Sequence, residues 1–304
     1  MTQFKEVIVT LSENHYHTGV AALINSLCKS EFTGLIYIGY KGALPSWISQ
    51  LENSSDEYFK IKSCYIKFSE IITDLHFGYY KPIAIMNIFD QYISAEKVYY
   101  FDSDIIVNAP WEYFKKWLDN GVSLCLDNCF PFVHYNHPWK KEWKSLSSSG
   151  STYHCNYYVN SGFIGIEPAD KLLIQRWIEI TRNYQNQGGD ITKFEKDGQR
   201  AIKGDQDLLN AAISVTPEIN YSIIGTEGMG FTSPAYLMSH AVYDIKPWKK
   251  NFIKILLSRG HKPNLADHTF FSHLKNPIKV FDNKTHYFKR INLKTASILG
   301  RIIG

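Results

Sequence analysis

The stretch YYFDSDIIV, residues 99–107, is an apolar run broken by two carboxylates and a serine. Its aromatic and β-branched content reads as a buried strand. Residues i and i+2 of a strand share a face, so Asp102 and Asp104 are expected side by side. Two unpaired carboxylates in an apolar setting repel one another, and desolvating them is costly. Either they reach solvent at the strand end or a cation sits between them. Carboxylate oxygens are hard ligands, well matched to Mg²⁺ or Mn²⁺. The plainer alternative is a strand-end turn in which Asp102 caps the following backbone.

The elements that must position this pair follow from the flanking pattern. EVIVTL (6–11), GLIYIGY (34–40), VSLCLDN (122–128) and YVNSGFIGIEP (158–168) read as strands. GVAALINSLCKS (19–30), YYKPIAIMNIFDQY (79–92, with Pro82 in its first turn), PWEYFKKWL (110–118), ADKLLIQRWIEITRNYQ (169–185) and GDQDLLNAAIS (204–214) read as helices. LPSWISQL is a turn into a short helix. This alternation predicts an α/β fold with a doubly wound, mostly parallel twisted sheet flanked by helices. Ligands of such sheets lie at the carboxyl ends of the strands, where Asp102, Asp104 and Asp127 fall. Residues 128–158 break the pattern. They are aromatic and rich in His, Ser and Gly, and read as one long functional loop. Within it, the spacing of His134, His137 and His154 fits no standard zinc site.

A chain of 304 residues with 44% hydrophobic and 20% charged residues is an ordinary folded protein. Its 20 Tyr and 7 Trp suit stacking on bases and sugars. The start lacks the pattern of a signal peptide, and no apolar stretch is long enough to span a bilayer. Five cysteines, odd in number and without zinc spacing, are expected as reduced thiols in a cytoplasmic protein. The net charge of +4 is uneven: residues 246–304 hold thirteen Lys/Arg against two acids, leaving −7 for residues 1–245.

Five ordered motifs resemble the GT-A nucleotide-sugar glycosyltransferases, most closely the family 8 type of glycogenin and bacterial lipopolysaccharide galactosyltransferases. They are TLSENHY (10–16), FDSD (101–104) as the D-x-D motif, VNSGFIGI (159–166), GDQDLLN (204–210) and HAVYDIKPW (240–248). The last departs from the family, with Tyr243 where glycine is usual, and Glu13 stands where Asp is common. The resemblance implies a GT-A (Rossmann-like) catalytic domain over residues 1–248, with 128–158 on the acceptor side. Residues 249–304 form a basic, partly amphipathic C-terminal extension.

The same resemblance implies the site. Asp102, Asp104 and His240 would ligate Mn²⁺ or Mg²⁺, with His273 in HLKNP as the alternative histidine. Thr10, Glu13, Tyr16, Lys81, Ser103 and Lys246 would hold the nucleotide diphosphate. Asp127, Asn160, Ser161 and Asp205 would bind the donor sugar, and Gln206, beside Asp205, would lie near the anomeric carbon. Asp207 is read as a helix-dipole partner only. The implied activity is transfer of a hexose from a UDP-sugar to a glycan or lipid-linked acceptor, such as lipopolysaccharide, with retention of configuration. The alternatives are an inverting transferase with a base from 128–158, or a non-catalytic glycan-binding scaffold. A sugar-nucleotide pyrophosphorylase would need a Gly-rich basic loop after the first strand, which TLSENHYHTGV lacks. The basic tail, with apolar residues interleaved, suits contact with the anionic inner face of the plasma membrane. The acidic body disfavours nucleic acid.

Overall fold

The computed structural model describes residues 3–150, 155–194, 202 and 204–303. His154 therefore lies outside the described residues. The strands are β1 (Glu6–Glu13), β2 (Leu35–Lys41), β3 (Glu52–Asn53), β4 (Phe59–Ile61), β5 (Cys64–Glu70) and β6 (Lys97–Phe101). They continue with β7 (Ile105–Val107), β8 (Val122–Cys125), β9 (Phe163–Ile166), β10 (Tyr221–Ile224) and β11 (Met238–His240). The helices are α1 (His17–Lys29), α2 (Phe77–Gln91), α3 (Trp111–Leu118), α4 (Pro138–Ser145) and α5 (Lys171–Asn186). Helices α6 (Asp205–Ser214), α7 (Phe252–Arg259), α8 (Leu265–Ser272) and α9 (Asn283–Ile303) complete the described chain.

Among the described residues, nine strands form one mixed sheet in the order β10-β8-β9-β6-β1-β2-β5-β4-β3. Its centre is parallel, at β6–β1, β1–β2 and β2–β5, while β9 runs antiparallel between β6 and β8. Both faces are covered, which explains the nearly continuous apolar strands. Val7, Val9 and Leu11 join Leu35 and Tyr37 in one core, and Ile8, Ile36 and Ile38 join the other. The strand order reverses at β1, whose neighbours are β2 on one side and β6 on the other. A crevice opens at such a reversal.

Three local expectations change. Helix α2 begins at Phe77, where the His76 side chain accepts from Gly78 N, so Pro82 lies inside the helix rather than in its first turn. The stretch 128–158 is not all loop: it contains α4. There His137 caps the helix by accepting from Trp139 N, Pro138 takes the first position, and Trp143 and Lys140 are buried. Third, the apolar run of residues 97–107 is two strands. It leaves the large sheet after Phe101, turns through Asp102–Asp104 with Ile105 N donating to Asp102 O, and continues as β7, which pairs with β11 in a separate two-stranded sheet.

The C-terminal helices pack on α1. Ala22, Ile106, Trp248, Phe252, Phe270, Phe271, Leu293 and Ala296 form one buried cluster. The buried Asn25 amide donates to the carbonyls of His273 and Ile278 and accepts from Ile278 N. No helix among the described residues is long and apolar enough to cross a membrane.

Candidate functional site

A cleft of about 700 Å³ opens at the ends of β1, β6 and β8. Asp102 and Asp104 enter it from the turn after β6. His240 arrives from the other side of the chain, because β11 pairs with β7 in the register His240↔Ile105, and Ala241 N donates to Asp104 O. The antiparallel pairing thus places a histidine beside a carboxylate 136 positions earlier in the sequence. One ligand atom from each of Asp102, Asp104 and His240 lies within 4.8 Å of the others. His240 Nε2 is 3.2 Å from Asp104 Oδ1 and 3.8 Å from Asp102 Oδ2. The turn, not the pleat of a strand, brings the two aspartates together.

Two glycines permit this crowding. A Cβ on Gly19 of α1 would lie 2.1 Å from Ser103 O and 2.7 Å from the Trp248 ring. A Cβ on Gly162 would lie 2.5 Å from the His240 ring. Gly162 O also accepts from Asp102 N at 2.7 Å, pinning the turn to the strand beside it.

Two buried lysines neutralise part of the acid. Lys246 Nζ is 2.7 Å from Asp104 Oδ2 and donates to Ala241 O. Burial alone would raise the Asp104 pKa, but His240 and Lys246 outweigh it and hold the carboxyl well below its usual range. Lys81, expected at a phosphate, bridges two carboxylates: its Nζ is 3.0 Å from Asp102 Oδ1 and 2.8 Å from Asp205 Oδ2. Burial would lower the Lys81 pKa, and Asp102 and Asp205 together raise it above the ordinary lysine value. Asp205 is depressed in turn, its burial penalty outweighed by Lys81 and by Ser161 Oγ, which donates to Oδ2 at 2.8 Å.

Beyond Lys81 lies a polar chain. Asn160 Nδ2 donates to Asp127 Oδ2 at 3.0 Å and to Gln206 Oε1 at 2.9 Å, and Ser161 N donates to the same Gln206 oxygen. The other Asp127 oxygen accepts from Cys129 N. Helix α6 templates this segment residue by residue. Asp207 accepts from the Tyr158 hydroxyl, and Asn210 both donates to Val159 O and accepts from Val159 N. Asp207 is therefore more than a dipole partner; it is buried and holds Tyr158.

Glu13, the half-buried Tyr16 and the buried Ser103 also line the cleft. Tyr16 stacks on His15 at 4.6 Å and meets Trp248 edge-on at 5.8 Å. Thr10, expected at the nucleotide, is fully buried in β1 with no hydrogen-bond partner for its hydroxyl, and it does not line the cleft. His273 lies apart from the acidic pair: its Nδ1 is within hydrogen-bond range of Thr269 O and Ser272 Oγ.

Several lining residues escaped the motif reading. Tyr100 donates to Asp102 Oδ1 at 2.8 Å, and its position two residues before Asp102 was the available signal. His76, Phe130 and Phe194 form further parts of the lining, and no motif marks them; Val242 and Tyr243, inside the 240–248 motif, line it too.

The donor set is two carboxylates and an imidazole, hard to borderline ligands. Opposite ligands of an ion bound at about 2.1 Å lie about 4.2 Å apart, within the spread seen here. Five aspartates (102, 104, 127, 205 and 244) and Glu13 face two lysines in the cleft, an acidic surplus that a divalent cation would reduce. The residues fit such an ion.

No protein-family model and no curated protein matches the sequence. Solved structures do. The bifunctional glycosyltransferase WbbM matches with a TM-score of 0.58 and 16% identity over 95% of this chain and 52% of that one. The glycosyltransferase GlyE of Streptococcus pneumoniae TIGR4 gives 0.51 and 14% over 97% and 63%. An active-site glutamine-to-glutamate mutant of LgtC gives 0.51 and 15% over 91% and 98%. The chain thus spans about half to two thirds of the first two and nearly all of the third. Its fold is a GT-A-like glycosyltransferase fold.

Proposed function

We propose that this chain is a metal-dependent glycosyltransferase that moves a hexose from a UDP-sugar to a glycan acceptor with retention of configuration. The observation that carries the reading is the Asp102–Asp104–His240 group, set in a cleft whose adjoining wall is the Asp127–Asn160–Gln206–Asp205 chain. One wall is suited to a diphosphate and the other to hydroxyl groups. Asp102, Asp104 and His240 would hold Mn²⁺ or Mg²⁺. Bound there, the ion supplies Lewis-acid stabilisation of the charge that a leaving diphosphate gains.

The chain's own groups do the rest. Lys246 adds a cation at the diphosphate. Lys81 bridges Asp102 and Asp205 and fixes their spacing. Tyr16 offers a ring face to the base, and Glu13 an acceptor. Asp127, Asn160, Ser161 and Asp205 would order sugar hydroxyls. Gln206 presents an amide whose oxygen is oriented by Asn160 and Ser161. Both oxygens of Asp127 and the Oδ2 of Asp205 are already engaged. Neither is a ready nucleophile for double displacement, which supports a front-face route through an oxocarbenium-like state.

Among the described residues of 128–158, a base for inversion is poorly supplied. His134 and His137 serve as turn and helix caps, accepting from Asn136 N and Trp139 N, and neither lines the cleft. The acceptor is read as a cell-surface glycan such as lipopolysaccharide, met at an anionic membrane surface through the C-terminal helices. The test is turnover of a panel of UDP-hexoses with Mn²⁺, with product anomers read by NMR. Retained anomers are expected; an inverted product overturns the mechanism, and no turnover of any donor overturns the function.

A further inference from the structure

Residues 131–133 and 156–158 form a short antiparallel ladder that leads away from the cleft. Tyr158 N donates to Pro131 O, Val133 N donates to Asn156 O, and Phe132 bridges Tyr157. Burial sorts the side chains. Val133 and Tyr158 are buried, while Phe132 and Tyr157 face solvent at 65% and 42% exposure. Their ring centroids are 5.8 Å apart at 47°, a shallow aromatic trough.

The ladder joins the candidate active site at one end, through both of its segments. Phe130, which lines the cleft and is braced edge-on by Trp139 at 5.6 Å, precedes Phe132 by two residues. Tyr158, also in the cleft, follows Tyr157 directly. The anchor is firm: Lys140 Nζ donates to Tyr157 O at 3.3 Å, and Asp207 holds the Tyr158 hydroxyl.

We propose that Phe132 and Tyr157 form a remote acceptor subsite, so that the acceptor is an oligosaccharide whose second or later sugar stacks on this pair. The inference rests on the transferase reading above. Flat rings bearing a hydroxyl suit the apolar face and polar rim of a pyranose. The surroundings point the same way. Among the described residues of 128–158 no Leu, Ile, Val or Met is exposed, and besides Phe130 the exposed neighbours include the polar Asn156 and His134. A lipid-binding patch would pair exposed aliphatic side chains with clustered Lys/Arg; α4 supplies lysines here, but no exposed aliphatic side chain accompanies them among the described residues.

The experiment uses the full chain loaded with UDP and Mn²⁺. Binding of galactose- and glucose-terminated glycans, from mono- to tetrasaccharide, is measured by saturation-transfer NMR and isothermal titration. Wild-type protein should bind at least one tetrasaccharide roughly tenfold more tightly than its terminal monosaccharide, as one well-formed stacking contact allows. Phe132→Ser/Tyr157→Ser should abolish that gain while leaving UDP affinity unchanged, and Phe132→Trp should keep it. Equal affinity at every length in the wild type, or a gain that survives the double substitution, overturns the subsite. Intact UDP–Mn²⁺ binding in either case leaves the transferase reading standing, whereas loss of both would remove its basis.

Discussion

At the scale of single residues, Lys81 ties the two walls of the cleft together. Its ammonium is buried between Asp102 and Asp205, so removing it strands two carboxylates at once. Lys81→Met should destabilise the fold by about 3–5 kcal/mol at neutral pH, measured by urea unfolding. Part of that loss should return on acidification, because an unpaired buried carboxyl has a raised pKa and is relieved when it protonates. Lys140 gives the opposite case. Burial lowers its pKa from 10.5 to about 8, with Lys144 adding to the effect and Cys155 opposing it. Between about pH 8 and 10.5 the unfolded chain binds more protons than the folded one, so wild-type stability should rise with pH across that window. Lys140→Met lacks this rise. Its stability relative to wild type should be highest near pH 7 and fall by as much as about 3 kcal/mol by pH 10.5; a constant difference would refute the assignment.

Among elements, the crossing of α1 over the Asp102–Asp104 turn sets the geometry of the acidic pair. Gly19→Ala should displace the turn or Trp248, costing about 1–3 kcal/mol and weakening metal-dependent nucleotide binding, both read from thermal melts. A neutral Gly19→Ala would mean the contact is slack. This element scale is also where the sequence was most and least legible. The central strands were clear because burial on both faces leaves unbroken apolar runs. Helix α4 was hidden because its sequence, PWKKEWKS, is mostly polar, and only His137, Pro138 and the buried Trp143 mark it. The pairing of Asp102 with Asp104 was anticipated from strand periodicity, yet a turn produces it, since β6 ends at Phe101. The contact with His240 depends on β7–β11 pairing across more than 130 residues, and no local pattern encodes it; the motif resemblance supplied it. Thr10 shows the converse, a motif residue that the strand buries away from the cleft.

For the whole molecule, the C-terminal helices have two faces. Leu293 and Ala296 of α9 are buried in the cluster around Trp248, while Tyr287, Phe288, Ile291, Ile298 and Ile302 are exposed among Lys284, Arg290, Lys294 and Arg301. Deleting residues 284–304 would unpack that cluster, so surface substitutions are the cleaner test of membrane contact. Phe288→Asp/Ile298→Asp/Ile302→Asp should weaken binding to anionic liposomes by about tenfold or more in a sedimentation assay. Its melting temperature should stay near that of wild type. Unchanged liposome binding would dispose of the contact.

The central claim, that Asp102, Asp104 and His240 assemble a metal–nucleotide site, is tested most directly by thermal melts with UDP, GDP, ADP or CDP, each with Mn²⁺ or with chelator. A ligand at about 100 times its dissociation constant adds about 2.7 kcal/mol. The account predicts stabilisation by UDP that needs Mn²⁺ and disappears in Asp104→Asn. Stabilisation that persists in chelator, or none from any nucleotide with Mn²⁺, would contradict it.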